Sequence, residues 1–292
     1  MTVHVASPGS TQQDRAASPV PRTVKHSPAT QDPIAARSEP LFRLFTFYLR
    51  LLASRRFTAI RLSGIDTASL PRDRPLIIYG NHPSWWDPVL YLLLADRRFR
   101  GRPGFGPMEE AALGRYNFFR RLGIFGIDKT GAGGARRFLS VARHVLGHPG
   151  GPAGRLMIWV TAEGNFTDPR VRPVRLRPGI AHLAALLPEA VLVPLAIEYV
   201  FWNERRPELL VRFGTPLAPA TGLRPADWTL RLEAALGETM DRLSVDAQAR
   251  DPEKFDRLPL GVLGFHGLRA AWRRLTHRLS GRPLVASHGE KA

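Results

Sequence analysis

The sequence predicts an α/β protein: a mainly parallel sheet flanked by helices, with amphipathic helices at both ends. Three observations carry this. Short apolar runs rich in β-branched residues alternate with longer segments of helical period. That strand–helix alternation is the pattern of a sheet whose parallel strands are joined by helical crossovers. The 292-residue length and 44% hydrophobic content supply a sizeable core, enough for one large α/β domain plus appendages or two small domains. No internal repeat is visible.

Residues 1–38 are rich in Ser, Thr, Pro, Ala and Gln and almost free of large apolar groups, so they read as a disordered tail. The segment 39–56, "EPLFRLFTFYLRLLASRR", follows. At helical spacing Arg43, Thr46, Arg50 and Ser54 form one narrow polar stripe, and apolar residues cover the rest of the circumference. Such a helix suits a membrane-interface position; a core helix of the globular domain fits the same residues. The domain proper is expected over 57–250. Its candidate strands are 57–63, 75–80, 98–106, 124–128, 155–161, 191–200 and 208–214. Its candidate helices are 88–96, 108–121, 133–147, 178–187 and 226–247. Residues 251–292 read as a basic amphipathic helix and tail. From Arg257 to Gly289 there is no Asp or Glu. There His266, Arg269, Arg273 and His277 share one helical face, and Leu268, Ala271, Trp272, Leu275 and Leu279 the opposite one.

Composition narrows the function. The net charge is +17, which favours an anionic partner: nucleic acid, a phospholipid surface or a phosphorylated substrate. Lysine occurs only at Lys25, Lys129, Lys254 and Lys291, so the positive charge is nearly all arginine, as a GC-rich genome also produces. The basic helix with its Trp favours an anionic membrane surface. No nucleic-acid module is evident, and the aromatics lie mostly in apolar runs, so no nucleic-acid partner is expected. No stretch reaches the roughly 18–20 apolar residues of a bilayer span, and the N-terminus lacks a secretory pattern. The expected place is peripheral, on the cytoplasmic face of a membrane. The chain has no cysteine, which removes disulfides and thiolate metal sites.

The chemistry concentrates in "LIIYGNHPSWWDPVLYLLL", residues 76–94. The expected strand ends near Asn81, where α/β proteins bind ligands. On one continuous helix His82 and Asp87 would lie roughly 140° apart and could not pair. Pro88 suits a first helical position and biases Asp87 away from helical geometry. Residues 83–87 then form a turn that returns the carboxylate to the imidazole. A His held by a carboxylate is oriented, and its other nitrogen can take a proton from a hydroxyl. The blander alternatives are Asp87 as a simple helix N-cap and His82 as a satisfied core histidine.

"NHPSWWDP" resembles the first block of the glycerolipid acyltransferase family, the lysophospholipid and glycerol-phosphate acyltransferases, marked by His, four residues, Asp. "LGIFGIDK" (122–129) resembles the second block and "IWVTAEGNFTDPR" (158–170) the third. "RLRPGIAHLA" (175–184) resembles the family's basic-x-Gly helix start, and "VLVPLAIEY" (191–199) its fourth block. The resemblance spans about residues 57–217. Two departures stand out. Lys129 stands where the family usually has Arg, and Phe166 where its third block has Arg; in the family those cations hold the acceptor's phosphate. Arg170, Arg172, Arg175 and Arg177 lie just downstream, either as replacements or as a solvated basic loop.

The resemblance implies an O-acyltransferase. A fatty acyl group would pass from an acyl thioester, acyl-CoA or acyl carrier protein, to the hydroxyl of a lysophospholipid-like acceptor. A neutral acceptor, glycolipid or hydroxylated terpenoid, is the alternative, and a non-catalytic membrane-binding protein is the alternative of another class. His82 is the expected general base and Asp87 its orienting partner. Asn81, Ser84, Lys129, Glu163, Gly164, Arg170 and Arg177 are the expected substrate-binding residues. With no cysteine and no Gly-x-Ser-x-Gly elbow, an acyl-enzyme is not expected. No metal or redox cofactor is implied, since a lone His-Asp pair supplies too few zinc ligands.

Overall fold

A computed structural model describes residues 32–128, 132–150, 154–218 and 220–261. Most of the expected N-terminal tail, Lys129 and the basic helix beyond residue 261 lie outside these residues. The described elements are, in chain order, α1 Pro33–Ala36, α2 Glu39–Arg56, β1 Ile60–Gly64, β2 Leu76–Gly80, α3 Asp87–Arg97, β3 Gly104–Glu109, α4 Glu110–Arg115 and β4 Ile124–Ile127. They continue with α5 Ala132–Gly147, β5 Met157–Thr161, α6 Pro178–Leu186, β6 Val191–Val200, β7 Glu208–Phe213, α7 Pro225–Ala249 and β8 Asp256–Arg257.

The strands form one sheet in the order β4-β3-β5-β2-β6-β7-β1-β8. Pairing is parallel from β4 through β6 and between β7 and β1; β6–β7 and β1–β8 are antiparallel. The centre is buried on both faces, which explains why "LIIYG" and "MIWVT" read as unbroken apolar runs. Side chains alternate between two cores. Ile77, Tyr79, Ile158 and Val160 pack with Leu183 of α6 and Trp228, Leu232 and Leu236 of α7. Leu76, Ile78, Met157 and Trp159 pack on the other side with Phe42 and Leu49 of α2 and Leu90 and Leu94 of α3.

The mainly parallel sheet flanked by helices is the fold the alternation predicted. Four expectations need correction. Residues 32–38 do not belong to a structureless tail: the Asp32 side chain accepts from the Ile34 N–H, Pro33 is buried, and the Ser38 N–H donates to the Arg121 carbonyl. The strand expected at 98–106 begins at Gly104, because α3 runs to Arg97 and a turn follows. Arg102 fixes that turn by donating to the carbonyls of Pro71, Arg74 and Arg155. The helix expected at 108–121 is α4 plus a 3-10 turn over Asn117–Leu122, whose Phe118 and Phe119 rings meet Phe45 at 5.4 and 6.2 Å. The domain does not stop at 250: β8 pairs with β1, and Leu258 is buried.

The stripe read on α2 is also different. Phe42, Thr46, Leu49 and Ala53 form the buried face. Thr46 tolerates burial because its hydroxyl donates to the Arg43 carbonyl one turn back, at 3.1 Å. Leu44, Phe47 and Tyr48 are exposed. No helix among the described residues is long and apolar enough to cross a membrane.

Candidate active site

The carboxyl ends of β2 and β5 lie side by side, with Gly80 opposite Thr161, and β6 passes β2 on its other edge. The segments that leave β2 and β5 build the site. Asn81 comes first. Its amide donates to the Ile197 carbonyl at 3.0 Å and accepts from the Ile197 N–H at 2.8 Å. The side chain thus adds a rung to the β2–β6 ladder. Asn81 is buried and engaged on both sides, so it anchors the site rather than presenting itself to a substrate.

His82 follows, and the turn 83–86 returns the chain to it. His82 Nδ1 lies 2.7 Å from Asp87 Oδ2. That same oxygen accepts from the Ser84 N–H at 3.0 Å, and Oδ1 accepts from the Tyr199 hydroxyl at 2.7 Å. Asp87 is fully buried. It sits at the first residue of α3, with Pro88 next, and the N-terminal end of a helix favours a negative charge. It is therefore not a simple N-cap: Trp86 holds that position, and no side chain caps the helix. A carboxylate can only accept, so Nδ1 carries the hydrogen in that bond, and a neutral His82 keeps its lone pair on Nε2. Ser84 contributes through its backbone, and its hydroxyl accepts from the Trp86 N–H at 3.2 Å.

The segment after β5 clamps His82 by its backbone. Glu163 Oε2 accepts the His82 N–H at 2.6 Å, and the Thr167 N–H donates to the His82 carbonyl at 3.0 Å. Glu163 is buried, and burial raises its carboxyl above the usual range. The turn between them needs Gly164. Its φ is +74°, and a Cβ there would come within 2.7 Å of Arg177 Cγ. Phe166 then lays its ring on the imidazole, with centroids 4.5 Å apart at 48°, yet remains 64% exposed.

The downstream arginines are mostly engaged. Both carboxylate oxygens of Asp168 accept from Arg170, at 2.9 and 2.6 Å. Arg170 holds the Asp168 carboxyl well below its usual range. Arg172 donates to Asp241 at 2.9 Å, and Arg175 reaches Glu233 at 3.4 Å. Arg177 lies along Gly164; with the Asn165 amide oxygen turned toward it, its Nη2 donates at 3.1 Å. The structure thus brings together His82, Asp87, Ser84, Glu163, Gly164 and Asn81. It sets Arg170 in a surface ion pair, and Lys129 is not among the described residues.

Tyr199 was not found from sequence. Burial and the neighbouring Asp87 push its phenol well up, so it stays a neutral donor. Its position on β6 becomes meaningful only once the β2–β6 register is known. Among the described residues no cluster of three or more His, Cys, Asp or Glu is arranged to hold a metal.

A family model described as Acyltransferase matches residues 61–198. No curated protein matches the chain. The solved structure of the 1-acyl-sn-glycerophosphate (LPA) acyltransferase PlsC from Thermotoga maritima is similar over 69% of this chain and 79% of its own, with a TM-score of 0.49 and 15% identity.

Proposed function

We propose that the chain, whose residues 61–198 match a family model described as Acyltransferase, moves a fatty acyl group from an acyl thioester to the hydroxyl of a membrane lipid. The supporting observation is the His82–Asp87 pair, with Asp87 buried under three donors and Nε2 left for a substrate proton. The acceptor O–H donates to Nε2. As the oxygen attacks the thioester carbonyl, its proton passes to the imidazole, and the imidazolium is stabilised by Asp87. The tetrahedral adduct collapses to the ester and expels a thiolate. The thiolate takes the proton from Nε2, which restores the base. Direct attack needs no enzyme nucleophile, consistent with the absence of cysteine.

The donor in this reading is acyl-CoA or an acyl carrier protein. A lysophospholipid acceptor drew its support from Lys129 and the four downstream arginines. Three of those arginines face carboxylates, so the support that remains in the described site is Arg177. The neutral acceptor gains from Phe166, whose ring stands at the base itself.

The protein works, in this proposal, as a peripheral protein on the cytoplasmic face, where the anionic leaflet attracts basic chains. Leu44, Phe47 and Tyr48 of α2 are exposed, and so are Tyr116 and Phe118, with Phe45 touching both Tyr48 and Phe118. This apolar face suits insertion at headgroup depth.

The experiment is acyl transfer by the purified full chain from a labelled acyl thioester to extracted membrane lipids. A labelled ester product, reduced when Asp87→Asn disturbs the imidazole, is expected. Thioester cleaved to free acid alone, with no lipid product from any extract, contradicts the proposal.

A further inference from the structure

Phe166 is a departure that the reaction above does not use. Its loop is not free to swing away: the Thr167 N–H is bonded to the His82 carbonyl, and Glu163 holds the His82 N–H three residues earlier. The ring is therefore held over the imidazole at 4.5 Å while most of its surface faces solvent. An aromatic that exposed adds little to folding. It stands against the base that an acceptor hydroxyl has to reach.

We infer that Phe166 sets the acceptor class: the group beside the reacting hydroxyl is uncharged, and the acceptor is a neutral glycosylated lipid rather than a phosphate-bearing one. This rests on the acyltransferase reading and concerns only what His82 deprotonates. A phosphate brought against a phenyl ring loses water and gains no donor there. Three of the four downstream guanidiniums do not supply one cheaply, and the fourth, Arg177, is turned toward the Asn165 amide oxygen. Arg170, Arg172 and Arg175 would have to leave Asp168, Asp241 and Glu233, and Glu198 adds another carboxylate beside Arg170 and Arg172. A sugar differs in kind. One face of a pyranose presents C–H groups that lie flat on an aromatic ring, while its hydroxyls point outward along the rim. Phe166 offers the flat apolar surface, and His82 Nε2 beside it meets a hydroxyl at the sugar's edge. At the neighbouring turn Arg177 Nη2 is engaged with the Asn165 amide oxygen, and the other N–H groups of that guanidinium suit further hydroxyls.

The test compares kcat/KM of the full chain for a monoacyl glycosylglycerol and for lysophosphatidic acid, in the same neutral mixed micelles and with one acyl thioester. The wild type should prefer the glycolipid at least tenfold. Phe166→Arg should shift that ratio at least tenfold toward lysophosphatidic acid, and Phe166→Leu, which keeps an apolar surface, should retain the wild-type order. The donor's KM should not move in either variant, which separates acceptor selection from general damage. A wild type that prefers lysophosphatidic acid, or a ratio unmoved by Phe166→Arg, overturns the inference. If that activity still needs His82, the acyltransferase reading stands without it. No turnover on either acceptor, or equal turnover by His82→Ala, overturns both.

Discussion

Asp87 is a buried charge with three donors, and removing any one leaves it short of a hydrogen bond. Tyr199→Phe removes the hydroxyl bonded to Oδ1. It should cost about 1.5–3 kcal/mol of stability, the usual range for a bond to a charged group. It should lower kcat more than it raises the acceptor's KM, because the imidazole loses orientation rather than a substrate contact. Urea unfolding and steady-state kinetics on the same preparation check both. Glu163 gives a pH signature. Burial raises its carboxyl above 4.5, so the native state keeps a proton there that the unfolded state has released. Stability therefore declines as pH rises from about 4.5 through the raised value. Glu163→Gln keeps an oxygen for the His82 N–H and has no such proton. The stability of the wild type relative to this variant should fall across that interval in a pH series of urea melts. The His82–Asp87 pairing was legible because prolines at 83 and 88 disfavour one helix through both residues, although Asp87 is the first residue of α3 and not, as expected, part of the turn. The destination of the Glu163 carboxylate was not, because it meets a backbone N–H, and no residue type announces that.

At the scale of elements, strands buried on both faces were the most legible. Their apolar runs are continuous, and β2 and β6 fall within a residue of the expected limits. The α2 stripe misled because a threonine can satisfy its own hydroxyl on a carbonyl one turn back and then be buried. The turn after β5 was legible from Glu163-Gly164, but its purpose was not. It grips His82 at both the N–H and the carbonyl. Gly164→Ala should therefore do two things. It should cost about 1–2 kcal/mol for a side chain in the left-handed region, and it should lower kcat, because the clamp shifts. A variant with unchanged kcat and lowered stability would leave the turn a purely structural role.

For the whole molecule, charge and apolar surface are proposed to act together. Replacing Leu44, Phe47 and Tyr48 with serine leaves the buried face of α2 intact. It should weaken sedimentation with anionic vesicles in a way that added salt does not reproduce, since the lost contribution is apolar. Removing residues 262–292 should give the complementary, salt-sensitive loss. A cut at 258 is unsuitable, because Leu258 is part of the core. Binding unchanged by both alterations together would contradict the membrane proposal. The net charge of +17 was legible, but which surfaces carry it depended on pairing. Arg61 bonds Glu208, Arg212 bonds Asp246, and Arg102 is spent on three carbonyls.

The central claim is that His82 Nε2 takes the acceptor's proton. The most direct measurement is single-turnover acyl transfer by the wild type and by His82→Ala, with matched urea melts to show that both are folded. The imidazole is part-exposed and, among the described residues, bonds only to Asp87 through its side chain, so folding should survive. The transfer rate should fall by about 10²–10⁴-fold, the range for loss of a general base. A folded His82→Ala protein that transfers acyl groups at the wild-type rate would contradict the claim outright.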